Sequence, residues 1–356
     1  MASVTPFRLH LLNVGQGEAI LFDFPDGSFG LLDSGPHKDG RGVLELVKAR
    51  CAAGRVFRFA AASQWDRDHI AGFSAILNHC MPEEFAIPGV DIQILEALCA
   101  AKEGKANSNV ASLLKKQISG LHQQQLTAGL EFYRHDGIQI WVLSPSAVTA
   151  VDIEKKFSPT LSDDELRQFS NKTSVAFWIR AYGRTLFLAG EAEADQYLAM
   201  DQQFRRNHKP LFEFRGAHAA DWIKLSHHGS QHNNVDSLYQ FFAKDQFVAS
   251  ASAGGRYGHP HPLALRLMHE THGGHAMCTR LGQGCDVIID KGLDKMKTTE
   301  WLNNNDILSV PNPNKNCYGN ITIEIDSSGS CDVTGSSSQD LCPFGGPHTM
   351  PIVTLR

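Results

Sequence analysis

Ser226-His227-His228-Gly229-Ser230 closes an apolar run, Trp222-Ile223-Lys224-Leu225. Asp66-Arg67-Asp68-His69 follows another, Val56 to Ala62. Paired histidines behind a strand and ahead of a glycine rarely serve packing. Carboxylate oxygens together with imidazole nitrogens are a ligand set for zinc, manganese or iron. If Ser63 to Asp68 stays extended, the alternate residues Gln64, Asp66 and Asp68 point one way and His69 opens a helix. The competing reading makes Asp66 or Asp68 an ordinary helix N-cap.

Further positions add to this pattern. Asn13-Val14-Gly15-Gln16-Gly17-Glu18 is a tight glycine turn, either a plain hairpin or a place where backbone approaches a ligand. Leu32-Asp33-Ser34-Gly35 puts an acid at a strand end. Gly190-Glu191 precedes the histidine pair, and Tyr257-Gly258-His259-Pro260 follows it. Each lies at the end of an expected strand, where ligands collect in layered α/β folds. Trp65 and Tyr257 flank the pattern and either stack on a base or simply pack.

Elements must hold these groups. Phe7 to Leu12, Ala19 to Phe24 and Phe29 to Asp33 read as short strands, followed by a helix near Gly42 to Cys51. Val56 to Ala62 reads as a buried strand feeding the Asp-Arg-Asp-His cluster, with a helix from Ile70. Val90 to Gln125 carries a helical rhythm and reads as a helical insert or lid, about 90–127. Asp152 to Ser170 reads as a charged loop. A hairpin around Gly183, then alternating helices and strands, follows. Strands first, then strand–helix alternation, in two halves, predicts an α/β protein: an αββα sandwich of two mixed β-sheets flanked by helices. Residues 1–335 form that domain, and the Ser-, Gly- and Pro-rich 336–356 a tail.

The chain has 356 residues, 42% hydrophobic and 20% charged, with net charge -5. That balance argues against broad electrostatic coating of a duplex and leaves room for a local basic groove. No run approaches the ~18 apolar residues of a membrane-spanning helix, and the N-terminus has no secretory pattern. The eight cysteines contain no Cys-x-x-Cys pair and read as reduced thiols of a cytoplasmic protein. His269, His272, His275, Cys278 and Cys285 form a late run with no tight zinc spacing, which a helix face explains.

The motif order resembles the metallo-β-lactamase fold superfamily. More narrowly it is similar to the hydrolase domain of ComEC, the competence DNA-uptake channel, and its soluble relatives. The matching residues are Asn13 to Gly17, Leu32 to Gly35, Asp66-x-Asp68-His69-x-x-Gly72, Asn171 to Ser174, Leu188 to Glu191, Lys224 to Ser230 and Tyr257 to Pro260. The resemblance implies a divalent-metal hydrolase with one or two ions, manganese or magnesium ahead of zinc. It implies Asp68, His69 and His227 as ligands, Asp66 and Gln64 serving a second ion, and Glu191 in the place of a bridging Asp. Asp33, Asn171 and Ser174 would support the ligands. His228 or His259 would pass a proton to the leaving group, with Asp68 in the reacting centre. Trp65, Ser230 and Tyr257 would touch substrate.

Two departures stand out: Gln64 replaces the usual first His, and Glu191 is one methylene longer than Asp. The implied activity is phosphodiester hydrolysis of nucleic acid or a nucleotide by a metal-activated water. The alternatives are a catalytically silent nucleotide- or protein-binding module, supported by Gln64, and lactone or ester hydrolysis. The resemblance also admits a protein partner in a larger complex, as in bacterial antiviral defence, and no membrane. All of this requires the imidazoles of His69, His227 and His228 to approach within about 10 Å.

Overall fold

A computed structural model describes residues 5–103, 108–158, 160–207, 219–251, 259–279 and 319–336. The chain opens with an antiparallel meander, β1 (Phe7–Leu11), β2 (Ile20–Asp23) and β3 (Phe29–Leu32). Parallel strands β4 (Phe57–Ala61), β5 (Glu84–Pro88) and β6 (His122–Leu126) extend it. A second antiparallel run, β7 (Glu131–His135), β8 (Ile138–Ser144), β9 (Ala176–Ala181) and β10 (Arg184–Leu188), starts the other sheet. Parallel β11 (Ala220–Lys224), β12 (Ala243–Ala251) and β13 (His275–Cys278) complete it. The chain then returns: β14 (Ile321–Ile325) pairs with β1, and β15 (Cys331–Gly335) with β14. The described residues thus form an eight-stranded and a seven-stranded sheet, both mixed.

Three apolar layers explain this stacking. The central one, between the sheets, joins Phe22, Phe24, Phe59, Phe177, Trp222 and Ile323. One outer layer lies beneath helices α1 (Leu44–Ala52), α2 (Arg67–Ile70), α3 (Phe73–Leu77), α4 (Ile92–Glu103) and α5 (Ser108–Ile118). The other joins Trp178, Phe187 and Ile223 to Tyr197, Leu238 and Phe242. Burial follows coverage. β2 and β3 are buried at every position, whereas β1 and β14 alternate because water reaches one of their faces.

Three expectations change. The segment read as an insert is helical through α5, but His122–Leu126 is a strand of the sheet, so 90–127 is largely the crossover between β5 and β6. The strand was hidden because its positions at the sheet edge are mostly exposed and polar. The expected loop at 152–170 is mostly helix: α6 (Ala147–Lys156) and α7 (Asp163–Ser170). Ser162 and Glu165 form a capping box there, a signal that the charged composition masked. Cys51 and Cys80 form a disulfide, against the expectation of reduced thiols, because α1 and α3 pack together and bring their Cα atoms to 6.6 Å. No helix among the described residues is long and apolar enough to cross a membrane. The expected tail from 337 onward lies outside the described residues.

Asp23, buried at the end of β2, gathers Arg50 (2.8 and 2.6 Å), Arg55 (2.7 Å) and His10 (2.9 Å). Burial opposes ionisation, yet hydrogen bonds from Arg50 and His10 and the charges of both arginines hold its carboxyl well below the usual range. A depressed folded-state pKa stabilises fully above the ordinary value of 3.8 and loses that contribution as pH falls toward the folded value. Asp23→Asn is therefore expected to cost ~2 kcal/mol at neutral pH. It should also flatten the acid limb of the melting curve below about pH 4. An unchanged acid limb would remove Asp23 from that role.

Candidate metal centre

The site lies where parallel strands end. β3 delivers Asp33, β4 delivers Ser63 to His69, β10 delivers Glu191, and β11 delivers His227 and His228. Val175 N–H donates to the Ser63 carbonyl (2.8 Å), and His227 N–H to the Gly190 carbonyl (2.9 Å), tying these ends together. Asp33, His227 and His228 all have positive φ, at 59°, 46° and 55°. Such backbone is uncommon outside glycine, although Asp and His adopt it more readily than most, and it collects at functional sites. Asn234 clamps the histidine turn: its Oδ1 accepts from Ser226 N–H and its Nδ2 donates to the Ser226 and Ser230 carbonyls.

The glycine turn proves to be a close-approach device. Glu18 N–H donates to the Asp68 carbonyl at 3.1 Å. A Cβ on Gly17, whose φ is 151°, would sit 2.5 Å from that same oxygen. Any side chain at Gly17 would push the loop off the metal motif.

Ligand atoms of Asp68, His69, Glu191 and His228 all lie within 4.8 Å of one another. His69 Nε2 is 3.1 Å from Glu191 Oε1, and His228 Nε2 is 3.3 Å from Asp68 Oδ2. The His69 and His228 ring centroids are 5.8 Å apart, inside the limit that a shared cation imposes. Asp33 Oδ2 takes the other ring nitrogen of His69 at 2.8 Å. Ser63 donates its N–H (2.7 Å) and hydroxyl (2.5 Å) to the same carboxylate. Ser174 Oγ accepts from the Glu191 backbone N–H at 2.7 Å, which fixes the base of that side chain.

Beneath the cluster, Lys224 and Glu18 form an ion pair with both side chains essentially inaccessible. Glu18, Asp33 and His69 form a second close group.

Electrostatics follow from this crowding. For Asp68, burial opposes ionisation, but the neighbouring His69 and His228 hold the carboxyl well below its usual range. For Asp33, burial leads and Glu18 adds to it, so its pKa is raised despite His69. For His69, burial favours the neutral ring, yet Asp33 and Asp68 push its pKa well up. A cation at Nε2 must displace a proton there. For His259, burial, then His227, His228 and His261, push the pKa down to about 3.

Several sequence-based roles shift. His228, expected beside the ligands, stands in the donor cluster; His227, expected as ligand, sits at its edge with Nδ1 3.9 Å from Glu191 Oε2. Both residues lie in the left-handed region, within the turn that follows β11. Asp66 and Gln64 stay outside the cluster and bind each other and Ser170. Trp65 is buried in the outer apolar layer and cannot stack on a substrate base. Ser230 is buried and its Oγ accepts from His232 N–H at 3.3 Å, so it faces its own turn. Asn171 Nδ2 donates to Glu193 Oε1 at 3.1 Å. His259 packs against the His227 ring, with centroids 5.8 Å apart. Tyr257 lies outside the described residues, as does Cys285 of the late run. His272 there pairs with Asp236, and Cys278 is buried in the core.

Sequence reasoning missed Glu18 as a partner, Lys224, Ser63, Ser170 and Asn234. One signal was available: Lys224 is a lone charge in an apolar strand run.

No family model matches the sequence. The chain is 25% identical over 209 residues to ComE operon protein 3 of Bacillus subtilis, a match covering 57% of this chain and 21% of that protein. It thus spans about a fifth of that relative's length. Among solved structures, it is similar to Zn2+-bound PqqB from Methylobacterium extorquens, at 11% identity and TM-score 0.39, covering 74% of this chain and 85% of that one. It is also similar to a metallo-β-lactamase from Cronobacter sakazakii, at 14% identity and TM-score 0.31, covering 59% and 75%. Two mixed sheets lie face to face with helices on their outer faces, an αββα sandwich, and over the matched segment the sequence is similar to ComE operon protein 3.

Proposed function

We propose that the chain is a metal-dependent phosphodiesterase acting on nucleic acid or a nucleotide. Asp68, His69, Glu191 and His228 would hold the cation. The observation that carries this reading is the convergence of those four side chains within 4.8 Å. They come from three separate strand ends. Two carboxylates and two imidazoles packed this closely fit a divalent ion. Two imidazoles suit zinc or manganese better than magnesium, which prefers oxygen ligands. The resemblance of the motif set to the DNA-uptake hydrolase domain supports a phosphodiester over a lactone or ester, by analogy.

A cation held by Asp68, His69, Glu191 and His228 would supply Lewis-acid chemistry, making a water more acidic and offsetting charge on a phosphoryl oxygen. The chain's own groups do the rest. Asp33 occupies the Nδ1 side of His69 and so leaves Nε2 facing the cluster. Ser174 steadies Glu191. His227, 27% exposed and packed against the His259 ring at 5.8 Å, is assigned the proton transfer to the leaving oxygen. A protein partner belongs to the same reading, on the resemblance alone.

The test uses chelator-treated protein, re-supplied with manganese or zinc, against single-stranded DNA and a bis-aryl phosphate. Metal-dependent cleavage, lost in Asp68→Ala, is expected. Metal uptake with lactone opening and intact DNA would select the ester reading. Failure to take up metal would leave the binding module.

A further inference from the structure

Beside the donor cluster lies a second polar group, joined through the Gln64 amide nitrogen, while Gln64 Oε1 makes no hydrogen bond. Gln64, Asp66 and Ser170 are all buried, Gln64 completely. Gln64 Nε2 donates to Asp66 Oδ2 and to Ser170 Oγ, the latter at 3.2 Å. The Ser170 hydroxyl donates to the Asp66 carboxylate, with oxygen distances of 3.1 and 3.2 Å. The three bonds are mutually consistent: one hydroxyl proton goes to the acid, and the amide protons go to the acid and the hydroxyl oxygen. Turning the amide over would set its carbonyl against a carboxylate oxygen, so the network itself assigns the orientation.

A buried carboxylate needs compensation. Metal ligands can receive it from a cation; Asp66 receives it from an uncharged amide and a hydroxyl. Charge-assisted donation of this kind is about twice as strong as a neutral hydrogen bond. Gln64 and Ser170 thus place donors on both Asp66 oxygens, taking up part of the lone-pair capacity a cation would use. No such donors crowd Asp68, whose oxygens meet His69 and His228 nitrogens instead.

We infer that the chain binds one divalent cation, in the Asp68, His69, Glu191 and His228 set, and that the Gln64 amide with the Ser170 hydroxyl stands in place of a second. The inference rests on the metal-site part of the proposed function and is independent of the substrate.

Stoichiometry decides this without reference to turnover. Chelator-stripped protein is titrated with Mn2+, and bound metal is counted by elemental analysis after dialysis and by calorimetry. One ion per chain is expected, with the spectrum of an isolated Mn2+ in electron paramagnetic resonance. Gln64→His is expected to bind two, with the broadened signal of a coupled pair. Asp66→Asn in the native background should keep one ion with affinity within about threefold, because Asp66 is not a ligand. This variant keeps the test alive if Gln64→His fails to fold. Two ions in the native protein, or loss of the ion in Asp66→Asn, would overturn the inference. No ion in the native protein would instead overturn the metal-site reading beneath it.

Discussion

His228→Ala is expected to strip the protein of its cation, while His227→Ala keeps it. Adjacent histidines in one motif look interchangeable, but their rings stand at 80° to each other with centroids 6.1 Å apart. His228 Nε2 lies 3.3 Å from Asp68 and 3.6 Å from Glu191, inside the donor cluster. Losing one of four donors should cost more than the ~10–100-fold in affinity typical of losing a mere supporting partner. His227 sits outside that cluster, so its removal should leave metal content unchanged. Removing a general acid should lower turnover by about 100- to 10,000-fold. Metal analysis of the two variants beside steady-state rates reads both effects. The assignment fails if His227→Ala loses the ion and His228→Ala retains it.

Lys224→Met is expected to destabilise the fold by about 3–5 kcal/mol. Lys224 ends β11 in one sheet, and Glu18 precedes β2 in the other. Their ion pair therefore bridges the sandwich directly under the site. Removing one partner leaves the other charge buried without compensation, which is the costly way to break such a pair. Removing both charges in Glu18→Gln with Lys224→Met should recover most of the loss. Urea unfolding of the two single variants and the double variant measures the coupling. A Lys224→Met loss below about 1 kcal/mol would place the pair in solvent. The consequence reaches the chemistry, because Glu18 also lies against Asp33 and His69. An unpaired Glu18 would compete with Asp33 for the His69 ring and loosen its aim.

Much of this was legible in order along the chain. Short apolar runs broken by glycine turns announced β1 to β4, since both periodicity and turn chemistry are local. The polar clusters at the strand ends were visible for the same reason. Where local signals were weak, reading failed. His122–Leu126 is a strand only because β5 offers it an edge, and its polar residues carry no alternation. The helix from Asp163 was hidden by its charge, although Ser162 and Glu165 advertised a cap.

Sequence alone determined which residue types were available for chemistry and that they lay at strand ends, because backbone propensity and hydrophobic pattern act over a few residues. It also contained the Gln64 departure. The tertiary structure decided which of those groups meet. The inward turn of His228, the closure of Gln64 onto Asp66 and Ser170, and the burial of Trp65 depend on backbone angles and on neighbours far away in the chain. The pairing of Glu18 with Lys224 spans 206 positions. Such contacts arise only when two sheets pack and exclude water, so no local stretch of sequence encodes them.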